Sequence, residues 1–118
     1  MKIVVVRHFP TLWNRKGLLQ GKRNESILQV NDQTAKKLKN SLLEILEDQR
    51  PDVVLTSSLV RTQQTATTLG YEDFLIDSHL DELDFGDFEG CRREEFLRCN
   101  KDQWINRPAS LTLGEPVT

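Results

Sequence analysis

The chain opens with an apolar run, Ile3-Val4-Val5-Val6, that has no polar alternation and stops at the basic pair Arg7-His8. β-branched residues in unbroken series predict a strand over 2–7 buried on both faces, as in the centre of a parallel sheet. Between Asn31 and Gln49 the period changes. Ala35, Leu38, Leu42, Ile45 and Leu46 share one face, with Lys36, Lys37, Lys39 and Glu44 off it, so this stretch predicts an amphipathic helix. Asn31 or Asp32 can cap it, and Pro51 stops it near Arg50. DVVLT, from Asp52 to Thr56, opens a second predicted strand over 52–57. A helix is predicted after Ser57-Ser58, with Thr65, Ala66 and Leu69 inward and Gly70 as the left-handed residue that ends it. Phe74 to Ile76 begins a third predicted strand over 74–78. Leu83, Phe85 and Phe88 then punctuate an acidic loop. The last predicted helix runs from Arg92 to Trp104, with Phe96, Leu97 and Trp104 as its apolar contacts and Pro108 beyond it.

Strand, helix, strand is the βαβ pattern, and a right-handed crossover makes the two strands parallel. The predicted class is α/β, a parallel-centred sandwich, in one domain over 1–118, since no polar linker is long enough to divide the chain. Apolar residues make up 37% and charged residues 29%, with a formal charge of -2. That balance is globular and argues against nucleic acid as a partner, but a few local arginines can still form an anion pocket. The start, MKIVVVRHF, is too short and too soon charged for a signal peptide or a membrane span, so no membrane partner is expected and cytoplasm is the default. Cys91 and Cys99 form no CxxC site and read as ordinary thiols.

In parallel α/β folds ligands bind beyond the carboxyl ends of the strands. Arg7 and His8 end the first strand, and Ser58 and Arg61 lie just past the second. Two guanidiniums beside a helix start favour phosphate, which arginine matches with paired hydrogen bonds. A neutral His8 could attack phosphorus through one ring nitrogen while the other is held, and neighbouring arginines disfavour the imidazolium. Glu82 or Asp81, after the third strand, could protonate the leaving alkoxide. Phe9 and Trp13 read most simply as core or pocket-wall groups, and Asn14 as closing a turn. The acidic run from Asp81 to Glu89 lacks the spacing of an EF-hand calcium loop.

Three segments in order, RHFPTLWN, then TSSLVRTQQTA from Thr56 to Ala66, then LDELDFGDFEG from Leu80 to Gly90, resemble the histidine phosphatase superfamily, also called phosphoglycerate-mutase-like. The resemblance implies that family's three-layer sandwich, with His8 as the nucleophile that becomes phosphohistidine and Arg7 and Arg61 clamping the phosphoryl group. It implies that Thr11 and Asn14 support the pocket, and that Glu82 is the acid and later the base for water. It implies no metal and no cofactor. The substrate would be a small phosphorylated metabolite, and DFGDFEG is most similar to small broad-specificity or alpha-ribazole-type phosphatases. A mutase-type phosphotransferase and a non-catalytic phosphate-binding module are the alternatives.

Four departures stand out. RHFP replaces the usual RHG, GKRN places Asn24 where an acid is common, and Phe88 stands where Trp is common. The fourth is the lack of the family's later core strand and second catalytic histidine. GEP at Gly114 is similar to the Gly-Glu element that precedes them. His79 is the only other histidine, and it reads as a pocket-rim or surface residue. Loss of one donor to the transferring oxygens costs about 10² to 10³ in rate, so the isolated chain is expected to be weakly active or inactive. The expectation is an amino-terminal part of a phosphatase domain; a naturally short member completed by a partner, and an interaction module, are the other readings. In each the first strand lacks a neighbour. Self-association or a complementing carboxyl-terminal segment would cover it, the remaining option being that residues 105–118 fold back.

Overall fold

The computed structural model describes residues 1–107 and Gly114. Its sheet is a parallel pair, β1 (Leu55–Thr56) and β2 (Leu75–Ile76), with Leu55 opposite Leu75 and Thr56 opposite Ile76. A short helix α1 (Leu12–Arg15) and a longer helix α2 (Asp32–Ile45) precede β1. Helix α3 (Val60–Thr68) connects β1 to β2, and α4 (Arg93–Asn106) follows two 3-10 turns at Ser78–Leu80 and Gly86–Phe88.

Periodicity located the helices well. The Asn31 side chain accepts a hydrogen bond from the Gln33 amide at 2.7 Å and caps α2, whose Ala35 and Leu42 are buried. This helix ends before Arg50 because Glu47 and Asp48 take left-handed backbone, φ 53° and 59°, which an α-helix cannot continue through. At the end of α3, Gly70 has φ 91°, the Tyr71 amide donates to the Ala66 carbonyl and the Gly70 amide to the Thr67 carbonyl. These are the paired bonds of a Schellman motif, which a side chain at Gly70 would strain. The core joins Phe9, Leu42 and Leu69, with Val4, Ile27, Val30, Leu38 and Tyr71 packed against them. Phe85, Phe88, Phe96 and Trp104 form a second cluster with ring centroids 5.0 to 5.7 Å apart, mostly edge to face, which fixes α4 against the acidic loop.

The first strand is the main correction. Residues 2–7 join no ladder among the described residues, and Ile3 and Val5 are 72% and 89% exposed. Only Val4 of the run packs on the core. A β-branched run specifies extended backbone and a need for cover, but a strand also requires a neighbour in hydrogen-bonding register, and no described segment supplies one. For the same reason the strands predicted over 52–57 and 74–78 pair only at 55–56 and 75–76. The α/β class therefore holds with an open sheet, reduced among the described residues to two short parallel strands. The Glu115-Pro116 element, and most of the 105–118 segment considered as a cover, lie outside the described residues.

Candidate active site

A cavity of about 230 Å³ opens beyond the carboxyl ends of β1 and β2, lined by His8, Ser57, Leu59, Arg61, Thr62, Leu80, Asp81 and Glu82. Three separate stretches of sequence meet there. The turn from β1 brings Ser57 and Leu59 and the first turn of α3 brings Arg61 and Thr62, the segment after β2 brings Leu80 to Glu82, and the end of the opening run brings His8.

His8 is half-buried, and its Nδ1 lies 2.7 Å from the Phe9 carbonyl oxygen. A carbonyl only accepts, so Nδ1 carries the proton and Nε2 carries the lone pair. Burial first, and then the positive charges of Arg61 and Arg7, lower the His8 pKa below the usual histidine range; the Phe9 bond and Glu82 oppose this without reversing it. The imidazole is thus neutral at neutral pH, the form a nucleophile needs. Phe9 itself lies in the core, where its amide donates to Thr65 Oγ1 at 2.9 Å and ties the nucleophile's backbone to α3.

Arg61 is 2% exposed. Two of its five N–H groups donate to backbone, one to the Arg23 carbonyl and one to the Gly21 carbonyl, each at 2.7 Å. Its Nε is buried with no hydrogen-bond partner among the described residues. A buried guanidinium that lines a cavity and keeps hydrogen-bonding capacity unspent is suited to an anion. Burial lowers the Arg61 pKa, while Glu82, Asp81 and Glu89 hold the positive charge in place. Arg7, by contrast, is exposed and does not line the cavity, so the geometry seats one guanidinium beside His8 and leaves the other to act through its field.

Gly21 and Arg23 belong to a loop built around α1. Thr11, fully buried, caps α1 in a reciprocal box with Asn14: the Asn14 amide donates to Thr11 Oγ1 and the Thr11 amide to Asn14 Oδ1. The Thr11 hydroxyl donates to Gln20 Oε1. Thr11 and Asn14 are thus engaged with the loop that carries Arg61's partners, and neither lines the cavity. Gly21 has φ 55°, and a Cβ there would lie 2.8 Å from the Leu83 carbonyl oxygen and 3.0 Å from the Phe85 amide, so glycine permits the loop to close on the acidic segment. Asn24, in the position where an acid was noted, accepts from the Val60 amide at 2.7 Å and caps α3 from a distance. Arg23 lies over the Trp13 ring at 4.1 Å and pairs with Glu25. Glu89 accepts from the Arg23 amide; its pKa is raised by burial first and further by neighbouring Asp84.

Ser58 departs from its expected place. The helix begins at Val60 rather than at Ser58, and the Ser58 amide and hydroxyl both donate to the Asp81 carboxylate, at 2.7 and 2.6 Å. Glu82 is exposed at the cavity, with Oε1 accepting from the Leu83 amide at 2.9 Å. His79 is exposed and paired with Asp77, a surface position. Cys91 and Cys99 are free thiols. Among the described residues no group of three or more His, Cys, Asp or Glu is placed to hold a metal ion, and no helix is long and apolar enough to cross a membrane.

Sequence reasoning anticipated His8, Arg61 and Glu82 together and missed Gln20, the Asn24 cap and the Asp81–Ser58 pair. The QG–GKRN stretch was visible as a signal, but the contacts that tie it to Arg61, Val60 and Glu89 are long-range.

The family model described as histidine phosphatase superfamily (branch 1) matches residues 3–117. The chain belongs to that superfamily. Among its curated relatives, this histidine phosphatase chain is 32% identical over 108 residues to a 2,3-bisphosphoglycerate-dependent phosphoglycerate mutase of Methylobacterium sp., covering 86% of the chain and 51% of the mutase. It is 31% identical over 97 residues to 2-carboxy-D-arabinitol-1-phosphatase of Triticum aestivum, covering 80% of the chain and 19% of that protein. The crystal structure of TTHB049 from Thermus thermophilus superposes with a TM-score of 0.65 at 29% identity, over 85% of the chain and 54% of TTHB049. The histidine phosphatase chain thus spans about half of TTHB049 and of the mutase.

Proposed function

We propose that the chain carries the nucleophile half of a metal-independent phosphomonoester hydrolase that acts on a small phosphorylated metabolite. The observation that carries this reading is a half-buried, neutral His8 sharing one cavity with a buried arginine donor and an available carboxylate. His8 Nε2 attacks phosphorus; the bond from phosphorus to the leaving alkoxide breaks, and Glu82 gives its proton to that oxygen. Water then attacks the phosphohistidine, Glu82 takes a proton from it, and the phosphorus–nitrogen bond breaks to release inorganic phosphate and His8. The Arg61 guanidinium, assisted by the field of Arg7, stabilises charge on the transferring oxygens. Ser58, Thr11 and Asn14 support the site through the backbone they hold. Relatives named as mutases support a second outcome for the same intermediate, return of the phosphoryl group to another hydroxyl instead of to water.

The test is direct. Incubation with excess chelator and an aryl phosphate is expected to give an acid-labile, alkali-stable phosphoryl adduct on His8, with slow or no turnover. Orthovanadate or phosphate is expected to bind, and Arg61→Ala to weaken that binding. No binding at millimolar anion, or an adduct that survives His8→Ala, would remove the reading. Product analysis with a diol monophosphate separates hydrolysis from transfer.

A further inference from the structure

Asp81 precedes Glu82, lines the same cavity, and is not needed as an acid, a base or an anion ligand. Both its oxygens are engaged with Ser58: Oδ1 accepts from the amide at 2.7 Å and Oδ2 from the hydroxyl at 2.6 Å. The pair joins Asp81, which lines the cavity, to Ser58, which lies between the lining residues Ser57 and Leu59. It matters because of what surrounds Glu82. The stretch between the 3-10 turns at Ser78–Leu80 and Gly86–Phe88 has no regular structure, and Glu82 is exposed within it. The Leu83 amide bonds, among the described residues, only to the side chain of Glu82 itself. Among the described residues, the Asp81–Ser58 pair is the one hydrogen-bonded connection from residues 80–83 to the turn that leads into α3.

From this geometry we infer that Asp81 is a positioning residue: its two-point bond to Ser58 fixes the segment that presents Glu82 to the leaving oxygen above His8. The inference rests on the proposed phosphatase reading. The bonds are charge-assisted and short, and two of them from one residue fix orientation as well as distance. A carboxyl that must deliver a proton to one oxygen in the transition state tolerates little displacement. Asp81 thereby supplies to the loop what secondary structure does not. It also removes Ser58 from direct duty toward the phosphoryl group, since both of that residue's donors in the turn are occupied.

The chemistry offers a readout that a purely structural role would not move. An alkoxide leaving group needs the proton from Glu82, whereas 4-nitrophenolate departs with little help. Phosphohistidine formation should be followed under single-turnover conditions with the full chain in excess, using glycerol phosphate and 4-nitrophenyl phosphate in parallel. Asp81→Ala is expected to slow transfer from glycerol phosphate by about tenfold or more, a fraction of what a whole general acid contributes, and to leave the nitrophenyl reaction nearly unchanged. Asp81→Asn should restore most of the rate, because its carbonyl oxygen accepts from the Ser58 amide and its NH₂ donates to the hydroxyl. Ser58→Ala, which keeps the amide bond and cannot unfold the loop outright, should give an intermediate loss confined to the alkyl substrate. Equal slowing of both substrates, or no slowing of either, overturns the role assigned to Asp81. No phosphohistidine from either substrate in the unsubstituted chain overturns the phosphatase reading and the positioning role with it, a result distinct from the first.

Discussion

His8 sets the acid side of this protein's behaviour. Its pKa is lowered in the folded state, so folding disfavours the imidazolium. The associated stability is present above the unfolded value near 6.5 and is lost as pH falls through the lower folded value. An NMR titration of the ring should therefore give a midpoint below 6.5. Arg7→Met should move that midpoint upward, because it removes a charge that opposes protonation from an exposed site where the fold does not depend on it. A downward or absent shift would mean that Arg7 does not act on His8 at all. Gly21 is the other sensitive residue. Ala there combines left-handed backbone with a Cβ 2.8 Å from the Leu83 carbonyl, and should cost about 1–3 kcal/mol in urea unfolding. It should also weaken vanadate binding, since the Gly21 carbonyl holds Arg61. At this scale His8, Arg61 and Glu82 were legible because residue type and position past a predicted strand coincided. The contacts of Asp81 and Asn24 were not, because short polar side chains gain their meaning from partners 23 and 36 residues away.

The elements were legible to the degree that they are self-sufficient. Helix α2 carries its own apolar stripe and its own cap at Asn31, and Gly70 announces the end of α3 by the backbone conformation it permits. Strands are different: a β-branched run states a preference for extension, while the ladder depends on another segment, and residues 2–7 find none among the described residues. Helix α3 lies between these cases. Its Ncap residue, Leu59, makes no side-chain cap bond, and the Val60 amide is satisfied instead by Asn24 from the neighbouring loop. Asn24→Ala should lower stability by about 1 kcal/mol, with the loss seen as faster exchange of the Val60 amide. Asn24→Asp should be neutral or stabilising, because it keeps the acceptor and adds negative charge at a helix amino end. If Ala is harmless, the cap is replaced by water and α3 needs no help from the loop.

The whole molecule is more open than its length suggests. Its radius of gyration is 16.2 Å, against about 13 to 14 Å for a compact domain of this size. Ile3, Val5, Val53, Leu55, Leu75 and Ile76 all remain exposed, and they come from the opening run, both strands and the residues just before β1. Apolar surface gathered along unpaired backbone invites another polypeptide. The expected behaviour is self-association or capture of a complementing segment, read by light scattering, with rapid amide exchange over Ile3 to Val6 until cover arrives. A monodisperse monomer with those amides strongly protected would contradict this. The same open face has a calorimetric signature. Side chains already wet in the folded state contribute nothing new when the chain unfolds, so the heat-capacity increment should fall below the usual value of about 12–15 cal/mol/K per residue. The urea dependence should be correspondingly shallow. Both quantities should rise together when a partner dries the face, so a heat-capacity measurement would report the completion of the sheet without reference to catalysis.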